Sequence, residues 1–265
     1  MQRCNICIEE DCKGKKDCHC DNCAHCKECN KILHATIRIT TKCTQSCSHC
    51  CFECSPKKSA MMSVDTAKKI ALFLGSNNIS NITLMGGEFF CNPSWVDIFD
   101  TLIPVTAYTR LVTNGDWADN SAVPRILKRF PNLKVSISKD RWHTNKHVDE
   151  AIAACKELGL RYNVAGDEET TEESVVPVGR SSFDAFGIYG MFGCWCHNPA
   201  HKYSFMIDEV GKIYKCGFGV WDYANIEDHL EGGFDKEFKE LNQKFHKLFV
   251  PNCRRCASSY NKSGF

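Results

Sequence analysis

This sequence lacks any uninterrupted apolar run of about 18 residues, so no stretch of it reads as a membrane-spanning helix. It also lacks an imbalance of charge: 33 Lys and Arg stand against 32 Asp and Glu, for a formal net charge of +1. That balance excludes the broad basic footprint of a nucleic-acid-binding or anionic-membrane surface. A local basic group, Lys13, Lys15 and Lys16, is hemmed in by Glu9, Glu10, Asp11 and Asp17 and reads as a solvated loop. The stretch Met1-Gln2-Arg3-Cys4-Asn5-Ile6-Cys7 has no apolar core and does not read as a secretory signal. No internal repeat stands out. What the chain has in excess is cysteine, 20 of 265 residues. With no export signal, clustered cysteines point to metal binding in a reducing cytoplasm rather than to disulfide staples.

Residues 1–34 form a Cys-rich segment of their own. Cysteines fall at 4, 7, 12, 18, 20, 23, 26 and 29, with few large apolar residues between them. Such a segment buries too little apolar surface to fold alone, so metal must supply its fold. Cys20, Cys23, Cys26 and Cys29 are spaced C-x2-C-x2-C-x2-C, near the bacterial ferredoxin run but without its last spacing and proline. His19, His25 and His34 are alternative ligands, so iron–sulfur and zinc both stay open.

Within an expected domain over residues 35–193, residues 35–165 alternate strand and helix signals and 166–193 are weakly patterned. Strands are expected at Ala35–Thr40, Asn81–Met85, Arg110–Thr113, Lys134–Ser138 and Arg161–Val164. Helices are expected at Val64–Leu74, with Ser63 as N-cap and Gly75 as stop, and at Trp95–Leu102, Ala122–Phe130 and His147–Leu158, the last stopped by Gly159. This alternation predicts an α/β fold with a parallel sheet, closed or half-closed into a barrel. In such barrels chemistry sits at the C-terminal ends of the strands. Cys43, Gly86, Asn114 and Asp140 follow strands and so share one rim. Cys155 reads as core packing, and His143 and His147 as surface or core.

The first strand leads into Cys43, Cys47 and Cys50, spaced C-x3-C-x2-C. Three thiolates that close can hold three irons of a [4Fe–4S] cube, leaving the fourth iron open, the logic that separates catalytic from structural metal sites. A zinc knuckle, or a cluster fully ligated with Cys51 or Cys54, is the alternative. The loop resembles the signature of the radical S-adenosylmethionine (SAM) superfamily, and the resemblance covers residues 35–256. It implies a partial (β/α)6 TIM-like barrel and SAM chelated to the open iron. Gly86-Gly87-Glu88 is similar to the family tripeptide that receives the amino group of SAM. Ser138 and Asp140 match by type the strand-end position that holds the SAM ribose, a simple Asp-capped strand end being the other reading. Thr113-Asn114-Gly115 resembles a family turn, with Asn114 either a SAM contact or a plain turn residue. Phe52 matches an aromatic that the family places after the third cysteine, although Cys51 intervenes here. Val178-Gly179-Arg180 is a candidate approach to the site from a later strand.

Residues 194–265 hold a second cysteine set: Cys196, Cys216, Cys253 and Cys256, with Cys194 as a rival first ligand. Tyr203–Asp208 and Lys212–Tyr214 alternate like two strands around Glu209-Val210-Gly211, a hairpin turn, and a helix is expected near Asp235–Phe249. The set resembles the SPASM/twitch extension of radical SAM enzymes, and its cysteine number suits the single-cluster twitch form. A zinc ribbon is the alternative. The resemblance implies reductive cleavage of SAM to a 5′-deoxyadenosyl radical, hydrogen abstraction, and an oxidative change to a peptide or protein: a crosslink, desaturation or oxidation. The alternatives are a dehydrogenase or cyclase of a small metabolite, or a non-catalytic Fe–S electron-transfer protein. A ferredoxin or flavodoxin is the expected reductant, and neither nucleic acid nor membrane is an expected partner.

Overall fold

Strands dominate the frame because their outward faces are largely apolar. Ala35 and Ile37, Ile82 and Leu84, Leu111, Val135 and Ile137 are all buried, and each strand's alternate residues face the other way. The computed structural model describes residues 33–166, 180, 204–215 and 222–249. The expectations for Cys20, Cys23, Cys26, Cys29, Cys194, Cys196, Cys216, Cys253 and Cys256 lie outside those residues. The described strands are β1 (His34–Arg38), β2 (Asn81–Met85), β3 (Tyr108–Thr113), β4 (Leu133–Ser138), β5 (Tyr162–Ala165), β6 (Ser204–Ile207), β7 (Lys212–Tyr214) and β8 (Asp222–Asn225). They form one 8-stranded sheet in the order β5-β4-β3-β2-β1-β6-β7-β8. The strands β1 to β6 pair in parallel, and β7 and β8 add antiparallel at one edge.

Helices α1 (Val64–Ser76), α2 (Trp95–Leu102), α3 (Ala122–Leu127) and α4 (Val148–Leu158) connect the parallel strands. Ser63 caps α1 by accepting the Thr66 N–H at 3.0 Å, as its position after a loop predicts. The helix runs past Gly75 to Ser76 and is closed by Asn77. Gly159 ends α4 at φ +63°, the left-handed cap that glycine adopts without steric cost. The α3 helix is shorter than expected and stops at Leu127. Phe73, Ile98, Phe99, Val148 and Cys155 pack the helical layer against the outward strand faces.

The expected hairpin is present as β6 and β7, with Gly211 at φ +87° in its turn. Its first strand pairs in parallel with β1, His34 opposite Ser204, so the hairpin continues the sheet. A final helix, α5 (Phe234–Phe249), packs beneath it. Phe73, Phe205, Phe234 and Phe238 meet with ring centroids 4.9–6.3 Å apart. Burying each such ring stabilises by about 1.5–3 kcal/mol, which anchors α5 to α1 and β6. Among the described residues no helix is long and apolar enough to cross a membrane.

Candidate functional site

The strand ends Arg38, Met85, Thr113, Ser138 and Ala165 lie on one rim, and the loop after β1 folds over it. That loop is pinched at its neck. Lys42 bridges Ser55, the Cys43 N–H donates to the Ser55 carbonyl at 3.1 Å, and the Thr41 N–H donates to the Ala60 carbonyl at 3.0 Å. Between these points the chain carries Cys43, Cys47, Cys50, Cys51 and Cys54. All five line a cavity of about 180 Å³, whose far wall is Gly86, Gly87, Val112, Asn114 and Ser138.

Short polar side chains wire the loop to the rim. Gln45 is buried; its Nε2 donates to Asp116 at 3.0 Å, and its Oε1 accepts the Thr144 N–H at 3.0 Å and the Cys47 thiol at 3.5 Å. Thr44 donates to the same Asp116 carboxylate. The Asn114 Nδ2 donates to the Thr44 hydroxyl at 2.9 Å, and its Oδ1 accepts the Asp116 N–H at 2.9 Å. Arg180 does reach the site: its Nε donates to the Cys47 carbonyl at 2.9 Å and its Nη2 to the Cys54 carbonyl at 2.7 Å.

The tripeptide Gly86-Gly87-Glu88 divides its labour. A Cβ on Gly87 would stand 2.4 Å from the Lys42 carbonyl oxygen and 2.8 Å from the Cys43 Cβ, so this glycine lets the cysteine loop lie against the end of β2. The Gly87 N–H donates to the Thr40 carbonyl at 2.8 Å and the Glu88 N–H to the Lys42 carbonyl at 2.9 Å. Glu88, 2% exposed, stands behind the cavity wall rather than on it. Its carboxylate accepts from Thr113 Oγ1 at 2.9 Å and from the Asn114 N–H at 2.8 Å, stapling the end of β2 to the end of β3. Burial pushes its pKa up to about 7, against the pull of those hydrogen bonds.

Ser138 lines the cavity, and Asp140 sits beside it in a second group. The Asp140 Oδ1 accepts from the Trp142 N–H at 2.9 Å, the His143 N–H at 3.1 Å and His143 Nδ1 at 2.8 Å, and its Oδ2 lies 3.8 Å from His49 Nε2. Burial opposes the charged carboxylate, yet the hydrogen bond and charge of His143 carry its pKa below the usual carboxylate range. His49, Asp140 and His143 bring their ligand atoms within 4.8 Å of one another. Three donors converge on Oδ1 while Oδ2 keeps only the longer approach of His49, and the group meets the cavity through His49 and His143. His143 is thereby a site residue, which its sequence setting did not reveal.

The thiols differ sharply. Burial pushes Cys43 up to about 12 and Cys47 up to about 11, so both stay protonated at neutral pH without metal. Cys50 falls to about 6, because the Cys54 thiol hydrogen-bonds to its sulfur. Metal binding replaces those protons, as coordination ionises a thiol outright. Three thiols on one pinched loop, facing a cavity whose opposite wall is glycine backbone and Ser138, fit a three-cysteine [4Fe–4S] cluster with a ligand on its open iron.

The profile of the Radical SAM superfamily matches residues 37–177. The antilisterial bacteriocin subtilosin biosynthesis protein AlbA of Bacillus subtilis (strain 168) is 29% identical over 115 residues, which is 43% of this chain and 26% of that protein. The match therefore spans about a quarter of that relative's length. Among solved structures, BtrN in complex with AdoMet and 2-DOIA superposes with a TM-score of 0.58 at 15% identity, covering 85% of this chain and 92% of that one. Native anSMEcpe with bound AdoMet and Kp18Cys peptide gives 0.51 at 16% identity, covering 79% and 83%. The common architecture is a TIM-like partial barrel, and among the described residues the sheet runs from β5 to β8 without closing.

Proposed function

The chain belongs to the radical SAM superfamily, and from that premise we propose that it is an oxidoreductase acting on a peptide or protein. The chemistry that a [4Fe–4S] cluster and SAM supply when bound is one-electron cleavage of the SAM sulfonium to methionine and a 5′-deoxyadenosyl radical, which abstracts a substrate hydrogen. Cys43, Cys47 and Cys50 hold the cluster. The backbone at Gly86 and Gly87 meets the SAM amino group, with Glu88 fixing that turn from behind. Ser138 takes the ribose, Asp140 orders the wall beside it, and Asn114 holds the cysteine loop in register.

The observation that carries this reading is the convergence of the three cysteines with Gly86, Gly87 and Ser138 on one cavity at the strand C-termini. The peptide class draws support from AlbA, a bacteriocin biosynthesis protein. The reading extends beyond the described residues. A Cys-rich segment (1–34), a barrel (35–193) and a twitch-like domain (194–265) carry, in turn, a zinc or Fe–S site at Cys20, Cys23, Cys26 and Cys29, the SAM site, and an auxiliary cluster at Cys196, Cys216, Cys253 and Cys256. An auxiliary cluster suits a reaction in which a substrate radical gives up an electron to an acceptor.

The test is anaerobic. Reduced, reconstituted wild-type protein should form 5′-deoxyadenosine from SAM, and the triple variant Cys43→Ala, Cys47→Ala, Cys50→Ala should form none. Persistence of 5′-deoxyadenosine in the triple variant would overturn the reading.

A further inference from the structure

The inner face of the sheet is polar, and one guanidinium on it is incompletely satisfied. Arg110 lies on β3 two residues before Val112, and Ser136 on β4 two residues before Ser138. Val112 and Ser138 line the cavity, so strand alternation puts Arg110 and Ser136 on the same face. They sit one two-residue step deeper, about 7 Å along the strands. The Arg110 Nη2 donates to Ser136 Oγ at 2.8 Å, and Asn163 Nδ2 on β5 donates to the same hydroxyl at 3.3 Å. The Arg110 Nε is buried and has no acceptor. Among the described residues no carboxylate pairs with Arg110.

Arg38, on the same face of β1, shows the alternative: its Nε donates to Glu209 Oε2 at 2.8 Å. The cationic character continues sideways from Arg110. Lys134 stands directly opposite it in the β3–β4 register, and the Tyr108 ring on the same face lies in the fields of both Arg110 and Arg161. A guanidinium presents a planar fork that matches a carboxylate with two parallel hydrogen bonds, and here part of that fork is desolvated in advance.

We infer that Arg110, with Ser136 and Asn163 holding it in place, is a subsite for a carboxylate of the substrate, an acidic side chain or chain terminus entering the barrel mouth. The inference rests on the proposed SAM site at the strand C-termini, and it places the substrate inside the barrel beside that site. It adds that the substrate is anionic where it meets β3 and β4. Ser136 and Asn163 act as positioning residues, because both act through the guanidinium or the hydroxyl that it grips.

The experiment uses the full chain loaded with cluster and SAM under anaerobic conditions. Two probes are titrated by ligand-observed saturation-transfer NMR: N-acetyl-glutamate α-amide and its uncharged counterpart N-acetyl-glutamine α-amide. The wild type should bind the glutamate probe at least tenfold more tightly. Arg110→Gln should erase that preference, and Arg110→Lys should keep part of it. Iron content and thermal midpoint establish that each variant is folded. Equal affinity for the two probes in the wild type, absence of binding, or a preference retained in Arg110→Gln would each overturn the inference. Iron loading and 5′-deoxyadenosine formation by the wild type without substrate report separately on the proposed function, so the two can fail independently.

Discussion

Arg180 donates from Nε to the Cys47 carbonyl at 2.9 Å. Its Nη2 reaches the Cys54 carbonyl at 2.7 Å, and its own N–H donates to the Cys50 carbonyl at 3.1 Å. One residue, far along the chain, thus grips three carbonyls of the loop that carries the cluster cysteines. Its charge also stands beside Cys47 and Cys50, whose thiolates it favours.

Arg180→Lys should keep the charge and lose the fork, because an ammonium is a point donor. Losing a hydrogen bond to a charged group costs about 1.5–3 kcal/mol. The cluster of this variant should therefore lose iron to a chelator on the order of tenfold faster, each tenfold being about 1.4 kcal/mol. Arg180→Gln should in addition lower the reduced fraction of the cluster at a fixed reductant ratio, because a positive charge near the sulfurs favours the reduced state. Chelator kinetics and low-temperature EPR spin counts read the two effects. Unchanged kinetics in both variants would deny Arg180 the role of clamp.

Gly87→Ala should damage the site through backbone contact alone. The added methyl would meet the Lys42 carbonyl at 2.4 Å, and neither side is a flexible side-chain end. Gly86→Ala is milder in kind, since its nearest contact is the Thr40 Cγ2 at 2.8 Å, and Thr40→Ser should partly rescue it. Strain of this type costs about 1–3 kcal/mol. Iron per chain after reconstitution should fall in Gly87→Ala and recover in the Gly86→Ala, Thr40→Ser pair. Gly75→Ala, with nothing within 4 Å, is the control expected to load fully.

Much of the frame was legible because its signals are local. The period of β2 to β5, the cap at Ser63 and the stop at Gly159 each depend on a few neighbouring residues, and they fall within a few positions of the observed limits. The C-x3-C-x2-C spacing was legible for the same reason, and the rule that loops after parallel strands share one rim brought Gly86 and Gly87 toward it. What escaped depends on distant pairing. Nothing local in Ser204–Ile207 says that this strand lies beside β1. Nothing local in Gln45 or Asp116 says that they are wired across the rim. The sequence also invites Glu88 to face a ligand, whereas burial and the donors of Thr113 and Asn114 turn its carboxylate into the protein.

That inward carboxylate makes a pH prediction with a definite sign. The Glu88 pKa rises from 4.5 to about 7 in the folded protein, chiefly through burial. Between those values the unfolded chain has released the proton and the folded chain retains it, so the folded state is progressively disfavoured as pH rises from about 4.5 to about 7. Above that window the penalty is constant. Its slope approaches at most about 1.4 kcal/mol per pH unit, the value for one proton. Glu88→Gln removes the group and should flatten this part of the profile. Urea titrations of both proteins at pH 5, 6, 7 and 8 measure it; identical slopes would mean that Glu88 ionises normally in the fold.

Asn77 sets the last prediction, because it joins the end of α1 to the start of α5. It is 3% exposed at the end of α1. Its Nδ2 donates to the Phe73 carbonyl at 2.9 Å and to the His229 carbonyl at 3.0 Å, and its Oδ1 accepts the Phe234 N–H at 2.9 Å. The last of these satisfies an orphan donor at the start of α5, where a helix has no internal acceptor. Asn77→Ala would leave the His229 carbonyl and the buried Phe234 N–H without this partner, while the Phe73 carbonyl keeps the backbone N–H of residue 77 at 3.1 Å. At about 1–3 kcal/mol for a buried group left unmade, and with partial relaxation, the loss should total about 2–4 kcal/mol. Asn77→Asp keeps the acceptor for Phe234 but sets a carboxylate against two carbonyls, so it should not restore stability. The damage should be directional: limited proteolysis should cut first near residues 230–233, freeing α5 before the barrel opens. Uniform loss of both parts at once would mean that the Phe73–Phe205–Phe234–Phe238 packing, rather than Asn77, holds α5 in place.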